Sequence, residues 1–170
     1  NERFIAPFIT QSRSISNKSI IVDPLAGNSV GAEPKIIIPK INVEVPVIYD
    51  VTSIDEKAIL NGLERGVVHF GPSSLPGQDG NVAIVGHSAN NIFNPGKYKY
   101  VFSLLHDLQI GDTFMLNYYG QQYVYKIYDK KVVKPTDVSV LGQADKTATA
   151  TLITCDPPGL STNRMVIVGE

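Results

Sequence analysis

Apolar and polar positions alternate in the middle of this chain, and the alternation predicts β-strands. Val43, Val45 and Val47 are each separated by one residue, and a continuous apolar run at 36–38 precedes them. Successive side chains of a strand point to opposite faces, so this pattern indicates a strand with one buried face. Further short runs rich in aliphatic, β-branched and aromatic residues predict strands at 67–70, 82–85, 114–119, 123–128, 132–133, 147–153 and 165–168.

Two segments carry a helical pattern instead. Ser53 to Glu56 has the Ser-x-x-Glu form of a capping box, and apolar residues follow it, which predicts a short helix ending at Gly62. Apolar residues three and four apart over 101–108 predict a second short helix before Gly111. About eight strands at short spacing, with two or more short helices, predict a mainly β fold built on a closed or nearly closed barrel.

The length of the chain suits one domain preceded by an arm. Its 170 residues, 43% of them hydrophobic and 18% charged, are enough to bury a core. Residues 1–35 mix Ser, Asn, Ile and Pro without a sustained period and are predicted to form an N-terminal linker or arm. The domain is predicted to span 36–170. Within the arm, residues 20–25 are apolar enough to pack against the domain surface.

Charge and cysteine content exclude several classes of function. A net charge of −1 and a pI near 6.3 give no basic surface, so no nucleic-acid partner is expected. The single cysteine rules out a disulfide within the chain and cannot build a zinc site, and no pair of the three histidines has metal-ligand spacing. We therefore expect neither a metal nor another cofactor.

The only cysteine, Cys155, lies where a predicted strand stops. Asp-Pro-Pro-Gly at 156–159 ends the strand at 147–153, because Pro has no N–H for the ladder. The chain resumes as a strand at 165–168, and pairing of the two runs as a hairpin sets Arg164 across from Cys155. A guanidinium beside a thiol makes an electropositive setting in which cysteine becomes reactive. A lone cysteine is more often a small buried side chain, so the residues alone leave both interpretations open.

His87 also stands at the end of a predicted strand, directly after the apolar run 82–85 and Gly86. The other histidines have different settings: His69 lies between Val68 and Phe70 and is predicted to pack, and His106 falls in the second helical pattern. The long loop 71–80 leads into the strand before His87 and is predicted to form a wall of a substrate groove.

Four segments of the chain are informative together. They are Ile38-Pro39-Lys40-Ile41, Gly80 through Gly86-His87, Phe102-Ser103-Leu104-Leu105 through Gly111-Asp112, and Thr151-Leu152-Ile153-Thr154-Cys155 with Arg164. In this order they resemble the sortases, cysteine transpeptidases of the bacterial cell surface, and the resemblance covers about residues 36 to 169.

The resemblance implies an eight-stranded sortase-like β-barrel and a two-step reaction. Cys155 would attack a Thr–Gly bond in an LPXTG-like sorting signal and form a thioacyl-enzyme. An amine, from a peptidoglycan precursor or a pilin lysine, would then take the acyl group. His87 would act as the general acid and base, and Arg164 would position the substrate and stabilise the oxyanion. The resemblance also implies an N-terminal membrane anchor outside this chain, on the extracellular face of the bacterial membrane.

Further contacts follow from positions next to these residues. Thr154, Ser88 and Asp156 are candidate substrate-binding residues, although Thr154 is also an ordinary β-branched strand residue. The pair Asp23-Pro24 resembles the lid of pilin-polymerising sortases, but its spacing from the first core strand differs, so the packed arm is favoured. Two alternatives from other classes remain. One is a cysteine protease, and the other is a non-catalytic surface-binding β-domain.

Overall fold

Eight strands close into one barrel in the computed structural model, which describes residues 30–89, 96–142 and 147–170. The order around the barrel is β1-β2-β3-β4-β7-β8-β6-β5, and this confirms the predicted mainly β, eight-stranded architecture. The arm segment 20–25 lies outside the described residues. The strands are β1 Lys35–Ile38, β2 Val43–Ile48, β3 Val67–His69, β4 Gly80–Val85, β5 Thr113–Tyr118, β6 Gln121–Val133, β7 Ala148–Asp156 and β8 Asn163–Gly169.

Every second side chain of a strand points into the barrel, and these side chains fill its interior. Ile36 and Ile38 of β1 are fully buried, while the residues between and before them are partly exposed. Buried side chains from β4, β5 and β7, including Ile84, Phe114 and Leu152, meet them in one cluster. Burial of this apolar surface is the main force that holds the barrel closed.

The parallel pair β4 and β7 fixes the end of the barrel that matters for function. Six residues of β4 pair in register with β7, ending at Val85 opposite Ile153. The two strands run in the same direction, so their carboxyl ends emerge side by side. Both strands are almost wholly buried, as expected for parallel strands.

Helix α1, Glu56–Leu63, packs on the outside of the barrel against β3. Gly62 makes the contact close, because a Cβ there would meet a Val68 methyl at 2.7 Å. The predicted capping box is wrong. The N-cap is Asp55 and has no side-chain cap bond, while the Ser53 hydroxyl accepts from the Asp55 N–H at 3.0 Å, two residues too early to cap the helix. The helix ends one residue after the predicted Gly62.

The second predicted helix does not form as an α-helix. Residues 98–108, all of which the structure describes, form turns and the short 3-10 helix Leu105–Asp107. The physical reason lies in the spacing of the buried residues. Phe102, Leu105 and Leu108 are at most 1% exposed and recur every third residue, which is the period of a 3-10 helix. The backbone bonds follow the same step, as from Leu105 N–H to Phe102 O. Further 3-10 helices are Pro39–Ile41 and Val138–Leu141.

Two strand boundaries differ from the predictions. The runs at 123–128 and 132–133 belong to one strand, the 13-residue β6. Strand β7 continues through Cys155 to Asp156, so the prediction that it ends before Cys155 is wrong. Pairing with β8 extends the ladder, and it stops only where Pro157 removes a donor. The predicted turn between β5 and β6 is confirmed, with positive φ at Tyr119 and Gly120.

Candidate active site

The hairpin of β7 and β8 sets Cys155 directly across from Arg164, which confirms the predicted pairing. Residues opposite each other in an antiparallel pair project their side chains to the same face, with Cβ atoms about 5 Å apart. Within β7, side chains alternate, so Cys155 shares the outer face with Ile153, while Leu152 fills the barrel interior. The thiol and the guanidinium therefore lie on the same outer face, at the carboxyl end of β7.

His87 reaches this face from the neighbouring strand. The parallel register of β4 and β7 ends at Val85 opposite Ile153, and Gly86 N–H donates to Ile153 O at 3.1 Å. Continued by two residues, the register brings His87 beside Cys155. Gly86 is required here, because a Cβ would lie 2.4 Å from the Phe102 ring.

The three side chains line one groove of about 640 Å³. Its walls are formed by one side of α1 and by the loop between β7 and β8, and its floor by the ends of β4 and β7. The lining residues include Glu56, Leu60, Leu63, His87, Ile153, Cys155, Leu160, Ser161 and Arg164. A groove of this size, lined by apolar side chains and by several polar and charged ones, suits a peptide segment.

The β7–β8 loop orients the guanidinium of Arg164. Its Nη1 donates to Ser161 O at 3.3 Å and to Asn163 O at 2.9 Å. These bonds use only one of the three guanidinium nitrogens, and Arg carries five N–H donors in all. The hydroxyl of Ser161 lies 3.9 Å from the Cys155 sulfur. One loop residue therefore contacts both the thiol and the guanidinium.

The environment of His87 favours the neutral imidazole. Burial lowers the pKa of His87 below its usual 6.5, and the negative charge of Glu64 raises it in partial opposition. Glu64 directly follows α1 and is exposed. A half-buried imidazole that is neutral at rest can accept a proton near neutral pH and then donate it.

Thr154 lies beneath this face. It is 3% exposed, and its hydroxyl donates to Gly86 O at 2.7 Å. The bond ties the end of β7 to the residue that precedes His87. The structure therefore places the Thr154 hydroxyl where it holds the two strand ends together.

Ser88 and Asp156 do not line the groove; they line a small adjoining cavity of about 10 Å³ together with Cys155. Ser88 is 1% exposed, and its Oγ has no hydrogen-bond partner among the described residues. Asp156 is half-buried and pairs with Asn163 across the hairpin.

His69 and His106 are outside the groove. His69 is 3% exposed, as its predicted packing requires, and its Nε2 donates to Ser74 O at 2.9 Å. His106 is exposed and lies 3.1 Å from the Asp107 carboxylate. Loop 71–80 holds His69 and lines no described part of the groove, so the prediction that it forms a groove wall is wrong.

The groove also contains residues that the sequence analysis did not single out. Glu56, Leu60 and Leu63 lie at helix positions i, i+4 and i+7, which share one face. The helical spacing could have identified this stripe, although not its position beside Cys155. Ser161 carried no sequence signal, because loop geometry alone brings it to the sulfur.

Over 30–89, 96–142 and 147–170, no group of three or more Asp, Glu, His or Cys side chains is arranged to hold a metal ion. Within the same residues, no helix has both the length and the apolar character needed to cross a membrane.

A sequence model of the sortase domain matches residues 36–170. The chain belongs to the sortase family. It is 29% identical over 136 residues to sortase D of Bacillus subtilis (strain 168), in a match that covers 78% of this chain and 60% of that protein. It is 33% identical over 91 residues to sortase A of Listeria monocytogenes, covering 54% of this chain and 38% of that protein. The chain thus spans about three-fifths or less of these curated relatives.

Solved sortase structures share the fold. A sortase D5 transpeptidase from Clostridium perfringens superposes with a TM-score of 0.65 at 25% identity, over 85% of this chain and 81% of that chain. Sortase C-1 from Actinomyces oris superposes with a TM-score of 0.67 at 28% identity, over 83% of this chain and 74% of that chain. The eight-stranded barrel is therefore the sortase barrel.

Proposed function

We propose that this sortase is a cysteine transpeptidase in which Cys155 is the nucleophile, His87 the general acid and base, and Arg164 the oxyanion donor. The observation that carries the proposal is the pairing of Cys155 with Arg164 across β7 and β8, in the groove that His87 also lines.

The first step would transfer the acyl group to the enzyme. The Cys155 thiol gives its proton to the neutral imidazole of His87, and the resulting thiolate attacks the carbonyl carbon of a Thr–Gly-type bond. A C–S bond forms as the carbonyl oxygen becomes an oxyanion. Collapse of this intermediate breaks the C–N bond. The leaving amine takes a proton from His87 and departs, which leaves a thioacyl-enzyme.

The second step would reverse the proton transfers. An incoming amine attacks the thioester carbon, and His87 removes a proton from it. The C–S bond breaks, and the departing thiolate of Cys155 takes that proton from His87, which restores the free enzyme. The product is a new amide bond. An enzyme that waits for an amine in this way differs from a protease, which loses the same intermediate to water.

Arg164 supports the proposal through its geometry. The guanidinium cannot lose its proton at neutral pH, so it suits charge stabilisation better than proton transfer. Its Nη1 donates to the carbonyls of Ser161 in the loop and Asn163 at the start of β8, and these bonds orient the remaining donors before the substrate arrives. Donors fixed in advance near a developing oxyanion stabilise the transition state without reorganisation.

Membership of the sortase family supports a proposal for both substrates. We propose that the acyl donor is an LPXTG-like sorting signal of a surface protein or pilin, and that the acceptor is an amine of a peptidoglycan precursor or a pilin lysine. Membership of the sortase family supports a location at the bacterial cell surface. We propose that an N-terminal anchor holds it on the outer face of the membrane.

Intact-protein mass spectrometry tests the proposal. The chain is mixed with a library of sorting-signal peptides and several amines, with Cys155→Ala as the control. The expected result is a thioacyl adduct on Cys155 and an amide product that the control does not form. Hydrolysis without amide product would indicate a protease. No adduct with any peptide, together with slow iodoacetamide labelling of Cys155, would indicate a binding domain.

A further inference from the structure

The order of elements across the groove separates its two ends. Strand β4 lies between β3 and β7, and β8 lies on the far side of β7. Helix α1 packs over β3, so the groove residues follow the sequence α1, His87, Cys155 and Arg164. The proposed oxyanion donor is therefore on one side of the sulfur, and the proposed proton acceptor is on the other.

The charges of the groove follow the same division. Among the described residues that line it, Glu56 is the one acidic residue and Arg164 the one arginine or lysine. Arg164 stands on the hairpin wall, and Glu56 stands on the α1 wall, beyond His87. Glu56 begins α1 and is exposed, while Leu60 and Leu63 continue the same face toward the buried end of the groove. Seven residues of helix place Glu56 about 10 Å along the wall from Leu63.

We infer that the α1 wall, with Glu56 as its anionic group, is the binding site for a cationic amine acceptor. This inference rests on the proposed function. The acceptor must place its amine beside His87 to lose a proton, while the acyl oxygen faces Arg164. A cationic acceptor therefore enters from the α1 side, where Glu56 attracts its positive charge and Leu60 contacts its methylene groups.

The inference specifies the class of acceptor. An amine that carries a second cationic group, such as a lysine-like or diamine acceptor, gains from Glu56. A neutral amine does not gain, because the attraction is Coulombic. Glu56 is exposed, so the expected gain is modest, about two- to fivefold in the rate of aminolysis at low salt, and it shrinks as salt screens the pair.

The test measures how the thioacyl-enzyme partitions between acceptors. The enzyme is acylated with a sorting-signal peptide, and the rate of amide formation is measured with 1,2-diaminoethane, which is cationic at neutral pH, and with hydroxylamine, which is uncharged. Glu56→Gln is compared with the wild-type chain. Asp79→Asn is the matched control, because Asp79 is exposed and lies before the first residue of β4, about 20 Å from His87.

The expected result is a two- to fivefold fall in the ratio of the 1,2-diaminoethane rate to the hydroxylamine rate when Glu56→Gln is compared with the wild-type chain. Equal losses with both amines would overturn the inference, since they would mean that Glu56 acts on His87 or on the fold. An unchanged rate with the diamine would overturn it as well. Failure to form any thioacyl-enzyme would instead refute the proposed function, and the acceptor site with it.

Discussion

Two histidines on neighbouring strands show how position decides chemistry. His69 ends β3 and His87 follows β4, and burial lowers the pKa of both. The ring of His69 is 3% exposed and its Nε2 donates to Ser74 O, with the Ser73 hydroxyl 3.0 Å away. The ring of His87 lies in the groove and makes no hydrogen bond to a described residue. The hydrogen-bonded imidazole of His69 stabilises the fold, whereas the imidazole of His87 is free to transfer protons to and from a substrate.

The local folds explain this difference. After β3 the chain turns back along β4, and Phe70 N–H donates to Ala83 O, so loop 71–80 closes over His69. Because a carbonyl only accepts, the bond to Ser74 fixes the proton on Nε2 of His69. After β4 the chain leaves the sheet at Gly86, and the side chain of His87 projects beside the loop that follows β7.

The largest expected effect is on turnover when His87 is replaced. His87→Ala should lower kcat/KM for peptide cleavage by about 10²- to 10⁴-fold, the usual contribution of a general acid and base. The same change at His69 should leave kcat/KM near the wild-type value. Stopped-flow measurement of thioacyl formation compares the two. Equal losses of turnover at both histidines would mean that neither acts by proton transfer.

Arg164 provides the next largest effect. Arg164→Lys keeps the charge but loses the planar fork, so kcat should fall by about 10²-fold, as for the loss of an oxyanion donor. Arg65→Lys is the matched control, because Arg65 makes a two-nitrogen contact with Asp50 at the surface and lies outside the groove. Near wild-type turnover in Arg164→Lys would mean that the planar guanidinium does not stabilise the oxyanion.

For stability we expect the opposite order, with His69 more important than His87. His69→Ala removes the donor to the Ser74 carbonyl and leaves a gap next to Tyr49, whose ring centroid is 5.0 Å away. The expected loss is about 1–3 kcal/mol in the free energy of unfolding. Urea denaturation measures it, with exposed His106→Ala as a control that should change little. A His69→Ala protein as stable as the wild type would mean that the ring is not part of the packed structure.

Acid should weaken the fold through the same two histidines. Their lowered pKa values mean that the unfolded chain binds more protons once the pH falls below about 6.5. This contribution to stability is complete above the unfolded pKa and is lost as the pH falls toward the folded values. The melting temperature should therefore be lower at pH 5.5 than at pH 7.5. His69→Asn should lessen the difference; an equal or larger difference in that variant would contradict the assignment.

The sequence was a good guide where burial follows a simple period. Alternation along β1 and β2 and the continuous apolar run in β4 predicted strands because one or both of their faces are covered. The predictions failed where the spacing of apolar residues was compatible with two kinds of helix. The buried residues of 102–108 fit a 3-10 helix as well as an α-helix, and only packing in the barrel decides between them.

The candidate site shows the same limit. Cys155 and Arg164 could be paired from the sequence, because a hairpin relates two strands that are close along the chain. The approach of His87 depends on a parallel pairing between strands nearly 70 residues apart, and the residues alone do not fix that pairing. The position of α1 and its Glu56 depends further on how a surface helix rests on β3, for which the sequence has no local signal.

The smallest expected effect concerns the charge near His87. Glu64 favours the imidazolium and so raises the pKa of His87 against the larger effect of burial. Glu64→Gln removes that support, so the pKa should fall further, whereas Asp79→Asn at the other end of β4 should leave it unchanged. An NMR titration of labelled histidine rings reads the midpoint directly. Because Glu64 is exposed, 1 M salt should shrink the difference between Glu64→Gln and the wild type. A midpoint that rises in Glu64→Gln would show that burial of the ring, and not the carboxylate, had changed.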